Sequence, residues 1–281
     1  TISVSSTGDE TSSSSGGAMI LAGVMGMLLY ITLLLYGSQV MAGVIEEKSS
    51  RIIEVIISSV KPYQLLLGKI IGVGLVGLTQ FLLWIILTIG LTQITSKLYG
   101  EKAKNNVTQI KQIDSGKQGS LISKSAEESP MSEVTKVLES TNIPMVIAAF
   151  LFYFFVGYML YSSLFAAIGS AVESATEAQQ FTFIVMLPII LAFILAQFTM
   201  QDPDSTMAFW ASMIPFTSPI NMMVRLPYGV PMWELATSMI LLVLGFLGCS
   251  WISARIYRVG ILMYGKKITV KEMAKWMFYT G

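Results

Sequence analysis

The sequence contains no histidine and a single cysteine, Cys249. The first absence removes histidine-dependent metal sites, histidine-based catalytic triads and histidine proton relays. The second excludes a disulfide within the chain. Charge is also scarce. Charged residues are 12% of the 281, about half the share of a soluble globular chain, and the net charge of +1 offers no basic surface for nucleic acid. No G-x-x-x-x-G-K-[ST] pattern occurs, so the chain lacks a phosphate-binding loop for ATP. The opening residues 1–17 are rich in Ser, Thr and Gly and carry no Lys or Arg. A basic region followed by a short apolar core, the mark of a signal peptide, is missing there. With Thr in first place, the chain reads as a fragment or a processed form, with something missing upstream.

What the sequence has in quantity is apolar length. Hydrophobic residues are 53% of the chain, mean hydropathy is +0.67, and Ala18 to Val44 and Ile70 to Ser96 are free of charge. About 20 helical residues cross a hydrocarbon core of roughly 30 Å, so the expectation is an all-α integral membrane protein, a polytopic bundle. Five spans are expected at 18–42, 68–95, 144–170, 181–199 and 232–254. Pro188 sits inside the fourth, where neighbouring helices can satisfy the freed backbone. Lys48, Arg51, Lys61 and Lys69 lie in segment 43–67 and its flank. Arg255, Arg258, Lys266, Lys267, Lys271 and Lys275 lie in the tail 255–281. Four spans separate the two groups, so both fall on one side, and the positive-inside rule makes it the cytoplasm. Residues 1–17 then fall outside, as does 96–143, a polar loop whose seven lysines strain the rule but whose length relaxes it. Segment 171–180 is a cytoplasmic turn. Segment 200–231 is apolar but broken by prolines, and is expected as an external interfacial helical pair with Trp210 and Trp233 at headgroup depth. Arg225 within it has two expected partners, a lipid headgroup or Glu234.

Between the first two apolar runs stands a charged island, Glu46-Glu47-Lys48-Ser49-Ser50-Arg51-Ile52-Ile53-Glu54. Read as one helix over 44–60, it sets Ile45, Ile52, Ile53, Ile56 and Val60 on one stripe and places Glu47 four residues before Arg51 for a helical ion pair. Pro62 closes it. A bare topological anchor needs no apolar stripe, and glutamates contribute little to orientation. The Glu46-Glu47-x-x-x-Arg51 spacing is also that of intramembrane proteases resembling prenyl-protein endopeptidases, but those require histidines. A docking helix for a cytosolic partner remains. Glu173 and Glu177, four apart, share a helix face in the turn 171–180, as part of the turn itself, a second contact to such a partner or a cation site.

The stretch from Val44 to Val55, then Ser58-Ser59-Val60-Lys61-Pro62 and Leu67-Gly68-Lys69-Ile70, resembles the permease subunit of type-2 ABC exporters, most closely the NatB-like sodium-efflux permeases. Further matches are Tyr161-x-x-Leu164-Phe165-Ala166-Ala167-Ile168-Gly169-Ser170-Ala171 with Glu173, Glu177 and Gln179-Gln180, then Ile214-Pro215-Phe216-Thr217-Ser218-Pro219, Arg225-Leu226-Pro227 and Tyr257-Arg258-Val259-Gly260-Ile261-Leu262. The resemblance covers about residues 19–268 and corresponds to the family's C-terminal five-span portion. It implies a transmembrane permease of an ATP-driven exporter in the bacterial cytoplasmic membrane, working with a cytosolic ATP-binding subunit and a second permease copy or paralogue. ATP and magnesium would bind in the partner, and this subunit would have no catalytic, cofactor or metal site of its own. The island would be the coupling helix, with Glu46, Glu47, Lys48, Arg51 and Glu54 meeting the ATPase and Glu173 and Glu177 as a second cytoplasmic contact. Sodium as cargo comes from the resemblance alone, since the carboxylates near the spans all sit at their ends. A different class, a non-transporting membrane scaffold or sensor, is the alternative.

Overall fold

A computed structural model of the chain describes residues 12–57, 59–113, 143–264 and 269–276. Among them there are helices and turns and no strand. The helices are α1 (Ser12–Ser49), α2 (Ile52–Ile57), α3 (Pro62–Ile113), α4 (Ile143–Ala171), α5 (Ala175–Gln201), α6 (Thr206–Met213), α7 (Ser218–Arg225), α8 (Met232–Gly260) and α9 (Val270–Trp276), with a 3-10 turn at Leu226–Tyr228. Five stretches are long and apolar enough to cross a membrane: Gly16–Ser49, Pro62–Thr88, Pro144–Ala171, Ala175–Gln201 and Met232–Gly260. They correspond to the five expected spans, but several run past the expected ends. The segment read as a polar loop from residue 96 begins as helix, since α3 continues to Ile113. Glu, Lys, Ala and Gln are good helix formers and carry the helix beyond its apolar stretch. The rest of that loop, residues 114–142, lies outside the described residues.

The chain divides into two compact units. One takes in Thr1–Ala18 and Val76–Ser140, and its described part is helical. The other, Met19–Leu75 with Thr141–Gly281, holds all the polar residues discussed below. Within this second unit α4 is the centre. Tyr153, Phe154, Tyr158, Tyr161 and Phe165 on α4 are essentially fully buried, and the Tyr158 hydroxyl donates to the Ile70 carbonyl at 2.8 Å, tying α4 to α3. Two glycines permit the closest approaches. A Cβ on Gly169 would lie 2.8 Å from the Met41 carbonyl oxygen of α1, and one on Gly260 would lie 2.9 Å from the Ser170 carbonyl oxygen. Small residues at such crossings let helix backbones meet. The ends of α1, α4 and α8 therefore converge.

The expected pair within 200–231 exists as α6 and α7, and the two differ. Helix α6 starts on an N-cap, with the Ala208 amide donating to Ser205 Oγ at 3.2 Å. It leaves Trp210 exposed. Helix α7 is buried along its whole length, so it packs inside the unit rather than lying on its surface. Its polar residues explain how. Asn221 Nδ2 donates to Ala192 O at 3.0 Å and Thr217 O at 3.1 Å, and its Oδ1 accepts from the Thr199 hydroxyl at 3.1 Å. Arg225 pairs with Glu234 at 2.8 Å, as one of its two expectations had it, and also donates to Pro203 O at 2.9 Å and Ser212 Oγ at 2.8 Å. Buried polar groups are tolerated where each finds such partners.

Candidate functional site

The charged island does not form one helix. Helix α1 carries Glu46, Glu47 and Lys48 to its end at Ser49, the chain turns at Ser50 and Arg51, and α2 begins at Ile52. Arg51 has φ of 56°, the left-handed conformation that commonly terminates a helix but in which a non-glycine residue is strained. The break corrects two expectations. The ion pair between Glu47 and Arg51 does not form. Glu47 instead reaches Lys69 at the start of α3, 2.6 Å away, and the Arg51 guanidinium stands 5.9 Å from the Tyr264 ring centroid, within cation–π range. The apolar stripe is also divided. Ile45 and Ile53 are buried, whereas Ile52 and Val60 are 54% and 38% exposed, and Val55, off the stripe, is 73% exposed.

Lys48 is the most enclosed charge at this end. It is 1% exposed, so its ammonium is not presented to a docking partner as the resemblance implied. Its Nζ donates to the Ser170 carbonyl at 2.6 Å and the Gly260 carbonyl at 2.8 Å. These belong to the last residues of α4 and α8. Carbonyls in a helix's last turn lack intrahelical donors, and the negative end of the helix dipole favours a cation. One lysine on α1 thus caps two other helices. Tyr264 closes over it, with the ring centroid 5.7 Å from Nζ and the hydroxyl 3.4 Å from the Lys48 carbonyl.

Glu173 and Glu177 come to the same place. They follow α4 directly and open α5, where the Glu177 amide donates to Ser174 Oγ at 3.3 Å and the Glu173 amide donates to Glu177 Oε2 at 3.3 Å. This is close to a capping box, and acids suit a helix N-terminus. Both carboxylates act electrostatically on Lys48. Glu173 is exposed and Glu177 half-buried. Of the island's other residues, Glu46 and Arg51 are exposed. Glu54 sits on the α2 backbone, and its side chain lies outside the described residues. Sequence reasoning had counted Lys69 for topology, had met Lys69, Ser170 and Gly260 only as parts of the family-like motifs, and had passed over Tyr264. Nothing in their spacing ties them to Lys48 or Glu47.

The site is therefore an exposed rim of Glu46, Arg51, Ile52 and Val55 standing on a locked base, in which α1 is fastened to α3 through Glu47 and to α4 and α8 through Lys48. A family model described as "ABC-2 family transporter protein" matches residues 1–255. The chain belongs to this family. It is a multi-pass membrane protein by that membership and by its five apolar helices. Among the relatives of this ABC-2 protein, the Bacillus subtilis "Uncharacterized protein YhaP" is 30% identical over 259 residues, which are 92% of this chain and 55% of that protein. The Methanocaldococcus jannaschii "Uncharacterized protein MJ1024" is 22% identical over 253 residues, 89% of this chain and 52% of that protein. The chain spans about half the length of these curated relatives. No solved structure matches it.

Proposed function

We propose that this ABC-2 permease is the membrane-spanning part of an ATP-driven exporter whose separate cytosolic subunit hydrolyses ATP and grips the rim around α2. The observation that carries the reading is the exposure of Ile52 and Val55 beside Glu46 and Arg51, an apolar and charged surface on a base braced to four helices. Apolar side chains held outward among charges suit a protein partner. The lack of an ATP-binding loop in the chain agrees with nucleotide binding in a second subunit. Arg51, Lys61, Arg255 and Arg258 gather at this end, which the positive-inside rule orients to the cytoplasm. A pair of permeases with a pair of ATPase subunits is the assembly that the family resemblance implies. The NatB-like likeness makes sodium the first cargo to test.

In this reading ATP-driven closure of the partner moves the rim, and the Lys48 and Glu47 fastenings pass the displacement to α1, α3, α4 and α8. The decisive variant replaces exposed residues only, Arg51→Ala with Val55→Glu, in the full-length protein co-expressed with the ATP-binding subunit from its own locus. Co-purification is expected to fall by about tenfold or more, the scale of removing interface anchors, with thermal stability retained. Wild-type co-purification together with wild-type transport would overturn the docking role of the rim, whereas no ATP-dependent transport by the wild-type assembly would favour the non-transporting scaffold or sensor.

A further inference from the structure

Away from the rim, the first turns of α3 and the last turns of α8 leave a groove between them of about 1100 Å³. Leu67 and Ile71 of α3 form one wall, Phe246 and Leu247 of α8 the other, and Met159 of α4 lies behind them. At the end nearest the rim the lining changes to Lys61, Arg255 and Arg258. None of the described residues that line it is acidic, and neither Lys61 nor Arg258 has a described carboxylate within 4.0 Å. Arg255 is held in place by Trp251, its guanidinium carbon 3.9 Å from the ring centroid. Ser250, which also lines the groove, is 4% exposed, and its hydroxyl has no hydrogen-bond partner among the described residues.

We propose that this groove binds an anionic phospholipid. The phosphate would sit among Lys61, Arg255 and Arg258 with the acyl chains along the apolar walls. The ester region would come level with Ser250, whose hydroxyl then gains an acceptor. Basic pockets between membrane helices suit anionic headgroups, and each basic side chain near the surface adds attraction. The charge decides between occupants. A further apolar helix or a second copy packed into the groove would bury Lys61 and Arg258 with no described carboxylate beside either, an arrangement that proteins avoid. A free phosphate would leave the apolar walls without a function. The inference stands apart from the exporter reading, since it concerns a different surface and needs no ATPase.

The test uses the full-length protein purified in detergent, titrated with phosphatidylglycerol, with phosphatidylcholine of the same chains, or with inorganic phosphate. Native mass spectrometry counts the bound lipid and thermal unfolding reads its effect. Phosphatidylglycerol is expected to bind preferentially and to raise the unfolding temperature. Lys61→Gln with Arg258→Gln should weaken it by about fivefold for each cation removed, or about 25-fold together. Leu247→Gln, at a half-exposed wall position, should weaken both lipids alike. Should the double variant not fold, Lys61→Gln alone carries the comparison, because Lys61 is exposed. Equal binding of the two lipids, a shift reproduced by inorganic phosphate alone, or unchanged affinity in the cation variants would overturn the assignment. So would lipid-independent dimerisation abolished by Leu247→Gln.

Discussion

Lys48 shows how far a residue's surroundings can differ from what its neighbours in sequence promise. It stands between an exposed serine pair and two glutamates, yet it is buried against the ends of two helices far away in the chain. Taking an ammonium group out of water costs several kcal/mol unless donors and charge are compensated. Here two close carbonyls, two helix dipoles and the nearby Glu173 and Glu177 carboxylates provide that compensation. Replacing Lys48 by Met keeps the length and removes the donor. The Gly260 carbonyl also accepts from the Met263 amide at 3.2 Å, so Ser170 is the acceptor left with most to lose. A buried acceptor without a donor costs about 1–3 kcal/mol. Lys48→Met is therefore expected to lower stability by about that amount, measured by thermal unfolding in detergent. Lys275→Met, at an exposed position, should change it by less than about 0.5 kcal/mol. Similar losses at both positions would show that Lys48 does not act as a cap.

At the scale of elements, the link between α1 and α3 deserves a direct measurement. Glu47 and Lys69 are 2.6 Å apart, with side chains 28% and 13% exposed, so the pair is better shielded than a surface ion pair. Glu47→Lys should set two cations against each other, and Lys69→Glu two carboxylates. The double exchange should restore the attraction. In a thermodynamic cycle the pair is expected to show a coupling of about 0.5–3 kcal/mol, and each single reversal should also lower export relative to ATP hydrolysis while the double exchange recovers it. No recovery in the double exchange would mean that the pair does not join the two helices. The same region shows what is readable in a sequence and what is not. The spans were readable because a charge-free run of about 20 residues has few other uses. The end of α1 was not, because it is made by Arg51 in a left-handed conformation, with no glycine or proline nearby to announce it. Glu47 had an apparent partner four residues on, and only the three-dimensional path of the chain offers Lys69 instead. Arg225 and Glu234 were foreseeable as a pair because few other charges exist in their segment. The burial of α7 was not foreseeable, since both Asn221 amide donors and Arg225 Nε end on backbone carbonyls, which every sequence possesses.

On the exporter reading, gripping a partner and transmitting its motion would be separate tasks carried by separate residues of this unit, which mutation can separate. The rim of Glu46, Arg51, Ile52 and Val55 faces outward, whereas the base depends on α1, α4 and α8 meeting closely at Gly169 and Gly260. A methyl group at Gly260 would fall 2.9 Å from both the carbonyl oxygen and Oγ of Ser170. That neighbour is partly backbone, so the helix ends must move apart, at about 1–3 kcal/mol for overpacking. The shift also pulls the Gly260 carbonyl from Lys48. Gly260→Ala is thus expected to leave the rim intact and to loosen its connection to α8. In the assembled transporter, co-purification of the ATP-binding subunit should persist and ATP should still be hydrolysed, while transport per ATP falls. Gly248→Ala is the matched comparison, since a Cβ there meets nothing within 4 Å, and alanine favours a helix interior over glycine by about 1 kcal/mol. It should preserve transport and, if anything, stabilise the fold. Loss of co-purification in Gly260→Ala at retained stability would place the grip and the transmission in one element. Full coupling in that variant would show that the convergence of the three helix ends serves stability alone.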